Sequence, residues 1–317
     1  MKIIGIILLI IFIPTMLLVL MMNRRKKKVT KFDENSMKKI QGEMITVGID
    51  TAFPPMTFLT EKRQPAGFDM EFILQAATPM GVNMKVRAVN WAEKERLLEI
   101  GSVDCLWSGL SITESRRKNF IFSKPYLNTR IVLLSLSEEK QARTKEDLET
   151  FAVGVQTGSS AEEKLKELLG EELPENIRRF ANYGEVLEAL DQNSIDLCAI
   201  DETFYLYATK KSAPTLSEQK KKWPDYIKSP LILGEEQYAV AFRPEDQDLC
   251  DKLNHAIDKM TENKELQSIS DLWFDMDLLA SEEEAEPENK EAAETEETAE
   301  TVNEEAAETE PADTEKE

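Results

Sequence analysis

The chain has 317 residues and a formal net charge of −21 at pH 7, from 60 acidic and 39 basic side chains. A chain this acidic repels phosphate backbones, so we expect no nucleic-acid partner. Three widely spaced cysteines and a single histidine, His255, argue against a disulfide framework, a zinc site and histidine-based catalysis.

The N-terminal segment is almost continuously apolar from Ile3 to Met22 and carries no charge. About 20 such residues match the length of a helix that crosses a bilayer. A cleaved signal peptide normally has a shorter apolar region that ends at small residues, whereas this one ends at methionines. We therefore expect residues 1–22 to form an uncleaved, single-pass anchor in the cell membrane, followed by a basic linker at 23–42.

The orientation of this anchor is a conflict within the sequence. One lysine precedes the apolar run and five basic residues, Arg24 to Lys28, follow it closely. By the positive-inside rule, that pattern favours a cytoplasmic location for the rest of the chain. The remaining sequence favours the extracytoplasmic side, which we adopt as the prediction while the conflict stays open.

From Met44 onward, short β-rich runs alternate with helical periodicity, which predicts parallel sheets covered by helices. The pattern restarts after Glu146, so we expect two α/β units. The predicted strands are Met44–Asp50, Asn83–Val89, Val103–Trp107, Phe151–Val155, Ile195–Ile200 and Tyr238–Phe242. The predicted helices are Phe68–Thr78, Ala92–Ile100, Ser159–Leu169, Tyr183–Leu190, Asp246–Thr261 and Lys264–Phe274.

Ligands bind open parallel sheets beyond the carboxyl ends of the strands, so the loops after these ends are the candidate site. The first loop runs from Asp50 through Phe53 to two prolines, which hold a carboxylate and a ring beside the strand end. A proline-containing turn with a core phenylalanine is the alternative interpretation.

The second loop, Ser108 to Arg116, contains Gly109, Ser111 and a guanidinium within nine residues. Arginine offers a planar pair of donors that suits a carboxylate, while hydroxyl and backbone N–H groups fill the remaining lone pairs. An isolated arginine, however, is more often a solvated surface charge.

The third and fourth loops contribute Gln156, Ser159 and Ser160, then Asp201. Serine before a helix predicts either a simple N-cap or an anion site at the helix N-terminus. Asp201 either caps the next helix or binds an ammonium group across a cleft from Arg116.

Four segments of the chain resemble the bacterial solute-binding proteins of the polar amino-acid type, family 3, which serve ABC importers. The segments are Gly67–Glu71, Ser108–Arg116, Phe122–Tyr126 and Gly154–Ser160. The resemblance covers roughly Ile45 to Phe274. Family members usually carry Asp at the position of Glu71, and those of single-membrane bacteria usually hold on to the membrane by a lipidated cysteine, whereas the first cysteine here is Cys105.

The resemblance implies a periplasmic-binding-protein-like type II fold, with two α/β lobes joined by two hinge crossings. In this chain we expect an N-terminal transmembrane helix before that fold and a disordered acidic tail after it. We expect the crossings near Asn128–Val132 and Leu233–Tyr238. The predicted domain bounds are 43–129 plus 238–277 for lobe 1, 130–237 for lobe 2, and 278–317 for the tail, whose 17 acidic residues and lack of aromatics predict disorder.

The resemblance also implies roles for individual residues. Arg116 holds the α-carboxylate of a free amino acid with Ser111, Ser159 and Ser160. The α-ammonium binds Asp201 together with groups around Ser108 and Gly109. The side-chain pocket is lined by Asp50, Phe53, Trp91 and Gln156. Trp91 could instead be a core residue, and Trp107 is bulkier than expected beside this loop.

The predicted function is an extracytoplasmic substrate-binding protein, monomeric and without cofactor, metal or catalytic residue, that closes on a free amino acid. Its other partners are the membrane subunits of an ABC importer and the lipid bilayer, through residues 3–22. Two alternatives are a membrane-tethered amino-acid sensor and a dehydratase on the same fold. An assay for phenylpyruvate formation distinguishes the dehydratase from a binding protein.

Overall fold

The computed structural model of the protein describes residues 42–209, 224–274 and 276–280, and every structural statement here concerns those residues. The described residues through Leu279 belong to one compact unit. The predicted anchor, most of the predicted basic linker and most of the predicted acidic tail lie outside the described residues. Within the described residues, no helix is both long and apolar enough to cross a membrane.

The strands alternate with helices along most of the chain. In order, the strands are β1 (Met44–Ile49), β2 (Ala52–Phe53), β3 (Thr57–Leu59), β4 (Pro65–Ala66), β5 (Asn83–Ala88), β6 (Cys105–Leu106), β7 (Ile121–Phe122), β8 (Leu127–Ser135), β9 (Val153–Gln156), β10 (Ile177–Phe180), β11 (Leu197–Asp201), β12 (Ile227–Tyr238) and β13 (Ala241–Phe242). The α-helices are α1 (Phe68–Met80), α2 (Lys94–Glu99), α3 (Glu114–Arg117), α4 (Asp147–Thr150), α5 (Ser160–Leu169), α6 (Tyr183–Asp191), α7 (Glu202–Thr209), α8 (Gln247–Glu262) and α9 (Glu265–Trp273). Short 3₁₀ helices cover Trp91–Glu93 and Pro244–Asp246.

Two five-stranded sheets form the framework, as the alternating pattern predicts. The first sheet has the order β5-β1-β6-β13-β7, and the second has the order β10-β9-β11-β8-β12. In the first sheet β1 pairs parallel with β5 and β6, and in the second β9 pairs parallel with β10 and β11. The carboxyl ends of these parallel strands carry the candidate loops.

Two long strands, β8 and β12, connect the sheets. They pair antiparallel from Leu127 with Tyr238 to Ser135 with Ile227. Because β7 and β13 belong to the first sheet, the chain passes between the sheets just before β8 and just after β12. The predicted crossings, Asn128–Val132 and Leu233–Tyr238, lie inside these two strands, a few residues from where the chain changes sheets. We call β8 and β12 the hinge strands.

The predicted strand from Tyr238 to Phe242 is wrong as a single element. Tyr238 ends β12 in the second sheet, and Ala241 begins β13 in the first. Between them, the Ala239 N–H donates to the Leu110 carbonyl and the Val240 carbonyl accepts from the Ser123 N–H. The apolar run is continuous because both halves are buried, but the chain changes sheets within it.

The predicted boundary of the tail is also wrong by two residues. Leu279 forms an isolated antiparallel bridge with Leu127, and the Leu278 carbonyl accepts a hydrogen bond from the Asn128 N–H at 2.7 Å. The paired chain therefore continues past residue 278. The Glu-rich composition of the tail begins only after Ser281.

Trp107 lies in the core and does not line the candidate site. Its side chain is 1% exposed, and its ring meets Phe72 of α1 edge-on with centroids 4.8 Å apart. The three cysteines are free and buried. The Trp107 indole therefore packs in the core beside the end of β6.

Candidate functional site

The four predicted loops converge on one cavity between the two sheets, which we call the cleft. Its lining residues are Phe53, Trp91, Gly109, Ser111, Arg116, Ser159, Ser160, Tyr183 and Asp201. Eight of these are predicted site residues. The other three predicted residues, Asp50, Ser108 and Gln156, are also buried and contact one another, as described below.

Arg116 is a buried cation that contacts loops from both sheets. It belongs to the short helix α3, whose N-cap Thr113 accepts a hydrogen bond from the Arg116 N–H. Its guanidinium donates to the Ser111 carbonyl at 2.8 Å and to the Gly158 carbonyl at 3.2 Å. It also pairs with Glu95 at 3.0 Å and, across the cleft, with Glu163 at 3.6 Å. The alternative of a solvated surface charge is therefore wrong for Arg116.

Asp201 is the main acidic group on the opposite side of the cleft. It accepts hydrogen bonds from the Tyr183 hydroxyl at 2.8 Å and from the Tyr238 hydroxyl at 2.5 Å. Burial raises the pKa of Asp201, while the two tyrosine hydroxyls and Arg116 oppose that shift. Asp201 thus presents a desolvated carboxyl group within the electrostatic reach of Arg116.

Asp50 and Gln156 pair with each other across the cleft. The Gln156 side-chain amide donates to Asp50 Oδ2 at 2.8 Å, and the Ala52 N–H donates to Asp50 Oδ1 at 2.8 Å. The Asp50 N–H donates to the Ser108 hydroxyl at 3.0 Å. Burial raises the pKa of Asp50. The two predicted pocket residues therefore join the first and second sheets directly.

The aromatic side chains line the cleft from both sides. The rings of Phe53 and Tyr183 are 5.1 Å apart at an interplanar angle of 45°. A Cβ at Gly109 would lie 2.6 Å from the Phe53 ring, so the position requires glycine for the ring to lie where it does. Its φ of +53° also favours glycine.

Ser159 is the N-cap of α5. Its hydroxyl accepts from the Glu162 N–H at 3.2 Å and donates to the Gln156 carbonyl at 2.8 Å. The simple capping interpretation therefore accounts for the Ser159 hydroxyl. The Ser160 hydroxyl, by contrast, lies 3.1 Å from the Ser111 hydroxyl of the first sheet's loop.

Three residues of the site have no counterpart among the predictions: Lys94, Tyr183 and Glu236. The Lys94 ammonium donates to the Gly158 carbonyl at 2.7 Å and lies 5.0 Å above the Trp91 ring. Burial lowers the pKa of Lys94 to about 8. A lysine in an amphipathic helix carries no local signal of burial, which is why sequence reasoning missed it.

Glu236, on the hinge strand β12, occupies the space between the two serine hydroxyls. Its Oε2 accepts from Ser111 at 2.5 Å and from Ser160 at 2.8 Å. The side chain is 7% exposed. Its neighbour Glu235 is exposed. In the sequence, only the alternation of inward and outward side chains along β12 could distinguish Glu236 from Glu235. That alternation is a weak signal here, because the pairing of β12 contains two register shifts.

Two sheets joined by two long strands, with buried groups of both charges in the cleft between them, are the architecture of a bilobed binding protein. Residues 45–276 match the bacterial extracellular solute-binding proteins, family 3. The chain belongs to this family. The predicted resemblance is thereby confirmed.

Several curated relatives bind amino acids. The chain is 26% identical over 248 residues to the L-cystine-binding protein of Escherichia coli, covering 78% of this chain and 88% of that one. It is 26% identical over 250 residues to the L-arginine-binding protein of Pseudomonas aeruginosa, covering 75% and 90%.

Solved structures show the same fold. A substrate-binding protein of an ABC uptake transporter from Streptococcus pneumoniae, with bound histidine, is 28% identical and superposes with a TM-score of 0.66, covering 75% of this chain and 95% of that one. An ancestral arginine-binding protein bound to arginine is 26% identical with a TM-score of 0.63, covering 74% and 100%. The fold is therefore the type II periplasmic-binding-protein fold of two α/β lobes.

Proposed function

We propose that the chain is the extracytoplasmic substrate-binding protein of an amino-acid ABC importer and closes two lobes around a free α-amino acid. Lobe 1 comprises residues 43–126 plus 239–277, and lobe 2 comprises residues 127–238, because β8 and β12 belong to the second sheet. Membership of family 3 supports the class of function. The arrangement of charges in the cleft supports the ligand class.

The observation that carries this proposal is the placement of Arg116 and Asp201. A buried guanidinium from lobe 1 and a buried carboxyl from lobe 2 line the same cavity. An α-amino acid carries one charge of each sign on adjacent atoms, so its carboxylate suits Arg116 and its ammonium suits Asp201. A zwitterion that contacts both lobes favours the closed form, because it binds that form more tightly than the open one.

The remaining predicted residues have supporting roles in this binding mode. Ser111, Ser160 and the N-terminus of α5 with its cap Ser159 flank the ligand carboxylate. Other members of the site shape its ammonium end and its side-chain pocket: Asp50, Phe53, Trp91, Ser108, Gly109 and Gln156. Phe53 and Trp91 suit aliphatic stems, planar groups or cations.

The chain's own contacts between the lobes support a closed form with the ligand enclosed. Lys94 and Arg116 of lobe 1 both donate to the Gly158 carbonyl of lobe 2, and the Ser115 hydroxyl of lobe 1 donates to Glu163 of lobe 2 at 3.0 Å. We propose that the importer's membrane subunits recognise this closed form. The protein itself acts as a monomer and as a binding protein, without enzymatic activity.

The location of the protein is part of the proposal. Homologues are extracellular or periplasmic binding proteins, which supports an extracytoplasmic cleft. The apolar run from Ile3 to Met22 supports a single-pass anchor that retains the protein at the membrane.

A thermal-shift screen of the full-length protein tests the proposed function. Free ligand that binds only the folded state raises the melting temperature. The panel is the twenty standard amino acids and L-cystine, which includes the ligands for which relatives are named. A shift with one or a few of them supports the proposal, and the absence of any shift contradicts it. Phenylpyruvate formation from prephenate, measured in parallel, would instead support a dehydratase.

A further inference from the structure

Glu236 places a carboxylate where the proposed binding mode needs hydrogen-bond donors. Its Oε2 accepts from the hydroxyls of Ser111 and Ser160, the two side chains that flank the proposed position of the ligand carboxylate. An ionised carboxylate can only accept hydrogen bonds, and a hydroxyl has a single proton to donate. While Glu236 is ionised, both serine protons point at it.

A ligand carboxylate is itself only an acceptor, so it would meet lone pairs on both serines. Protonation of Glu236 removes this conflict. A carboxylic acid donates its own proton to one hydroxyl, and that hydroxyl then turns its proton toward the ligand. The protonation state of Glu236 therefore decides whether one of the two serine hydroxyls, Ser111 or Ser160, offers a donor to the cleft.

The surroundings of Glu236 favour protonation near neutral pH. Burial raises the pKa of Glu236, and the nearby Asp201 carboxylate raises it further, to about 7, against the opposing effects of Ser111, Ser160 and Arg116. The Tyr238 phenol, on the same strand, donates to Asp201 and not to Glu236. Among the described residues, Glu236 Oε1 is buried and has no hydrogen-bond partner.

We propose that Glu236 takes up a proton when an amino acid binds, so that ligand binding is linked to proton uptake from solvent. This inference rests on the proposed function, because it assumes that the ligand carboxylate lies beside Arg116. The proton passes from the buffer acid to a carboxylate oxygen of Glu236, and no bond between heavy atoms changes. The ligand ammonium keeps Asp201 ionised, so two negative charges beside Glu236 favour its neutral form.

The sign of the pH dependence follows from this linkage. The bound ligand raises the pKa of Glu236 above its value in the ligand-free protein. Affinity is therefore greatest at a pH below the ligand-free value of about 7 and falls as the pH rises through the window between the two values. We expect the dissociation constant to increase roughly tenfold between pH 7 and pH 8.5.

Calorimetry of the full-length protein at pH 7.5, in phosphate and in Tris, measures the proton directly. L-Arginine, L-histidine and L-cystine are titrated separately, followed by the other standard amino acids if none of these binds. The dependence of the measured enthalpy on the ionisation enthalpy of the buffer gives the protons taken up per ligand. We expect roughly half to one proton for the wild type and none for Glu236→Gln, a neutral isostere.

Glu235→Gln is the matched control, because it removes an exposed carboxylate one residue away on the same strand. It should keep the wild-type proton uptake. The difference in proton uptake between variants with the same ligand does not include the protons that the ligand itself exchanges.

Four results would overturn the inference. Binding by the wild type without proton exchange, or uptake that persists in Glu236→Gln, contradicts it and leaves the proposed function intact. The absence of binding to every amino acid contradicts both. If Glu236→Gln does not fold, the wild-type dissociation constant between pH 6.5 and 8.5 decides the question, and a flat profile overturns the inference.

Discussion

Removal of the Arg116 guanidinium tests the proposed binding mode most directly. Arg116→Ala deletes the donors to the Ser111 and Gly158 carbonyls and leaves a ligand carboxylate without its cation. The Arg116 side chain is 2% exposed, so water does not readily replace the guanidinium. The change should therefore affect both ligand affinity and the contact between the lobes.

The expected loss of affinity is large. Truncating one partner of a buried, hydrogen-bonded charge pair costs about 2–5 kcal/mol. A central value of about 3 kcal/mol corresponds to a dissociation constant more than a hundredfold higher. Glu95 and Glu163 are 40% and 29% exposed, so they regain hydration in the variant and add little to the loss. The Ser111 carbonyl loses its guanidinium donor and adds about 1–3 kcal/mol to the loss of folding stability where water cannot reach it. The Gly158 carbonyl keeps the Lys94 ammonium as a donor and adds less.

Isothermal titration calorimetry of the full-length protein measures the affinity, and urea denaturation measures the stability. Arg117→Ala is the matched control. The Arg117 side chain is 50% exposed, and its ion pair with Glu114 is weak, with the closest atoms 4.0 Å apart. We expect Arg117→Ala to change either quantity by less than about 0.5 kcal/mol. Arg116→Lys, which keeps the charge but loses the planar pair of donors, should bind with intermediate affinity.

Two outcomes would refute this reasoning. Wild-type affinity in a folded Arg116→Ala variant would show that the ligand carboxylate lies elsewhere. An equal loss in Arg117→Ala would show that the effect comes from general disruption of α3 and not from the buried guanidinium.

Three further predictions concern the backbone, a buried acid and the ammonium site. Gly158→Ala should weaken ligand binding about tenfold in calorimetry, because its Cβ would lie 3.2 Å from the Ala92 backbone across the cleft. Gly81→Ala has a similar positive φ and no atom within 4 Å, so it should lose about 1 kcal/mol of stability and keep wild-type affinity. Burial raises the pKa of Asp69 from 3.8 to about 7. The neutral form is therefore favoured in the fold, and the stability of the wild type relative to Asp69→Asn should fall as urea denaturation is repeated from pH 4 to pH 7; a constant difference would contradict this. Asp201→Asn should lower affinity at least about a hundredfold at pH 7.5, and unchanged calorimetric affinity would remove Asp201 from the ammonium site.

Local chemistry accounts for the part of this protein that could be predicted from the sequence. The alternation of apolar strands with amphipathic helices indicates two α/β units, because each element reflects the periodicity of its own residues. A serine before a helix predicts the cap that Ser159 forms. The dense polar loop ending at Arg116 is recognisable because its residues are close together in the chain, and the family resemblance depends on the same short segments.

Contacts between distant residues explain why other features could not be predicted. Glu236 is 125 residues from Ser111 and 76 from Ser160, so no spacing along the chain indicates that they share hydrogen bonds. Lys94 similarly meets the Gly158 carbonyl 64 residues away. Trp107 could have faced either the cleft or the core at the end of its strand, and packing against Phe72 decides between them.

The sequence by itself therefore indicated the kinds of secondary structure, two successive α/β units and most of the residues that line the cleft, because periodicity, capping, loop composition and the short segments of the family resemblance are local properties. The tertiary structure alone decided which buried charges meet, which of two adjacent glutamates enters the cleft, and where the chain changes sheets. Burial and electrostatic coupling depend on distances in space, and the hinge strands bring together residues that the chain keeps far apart.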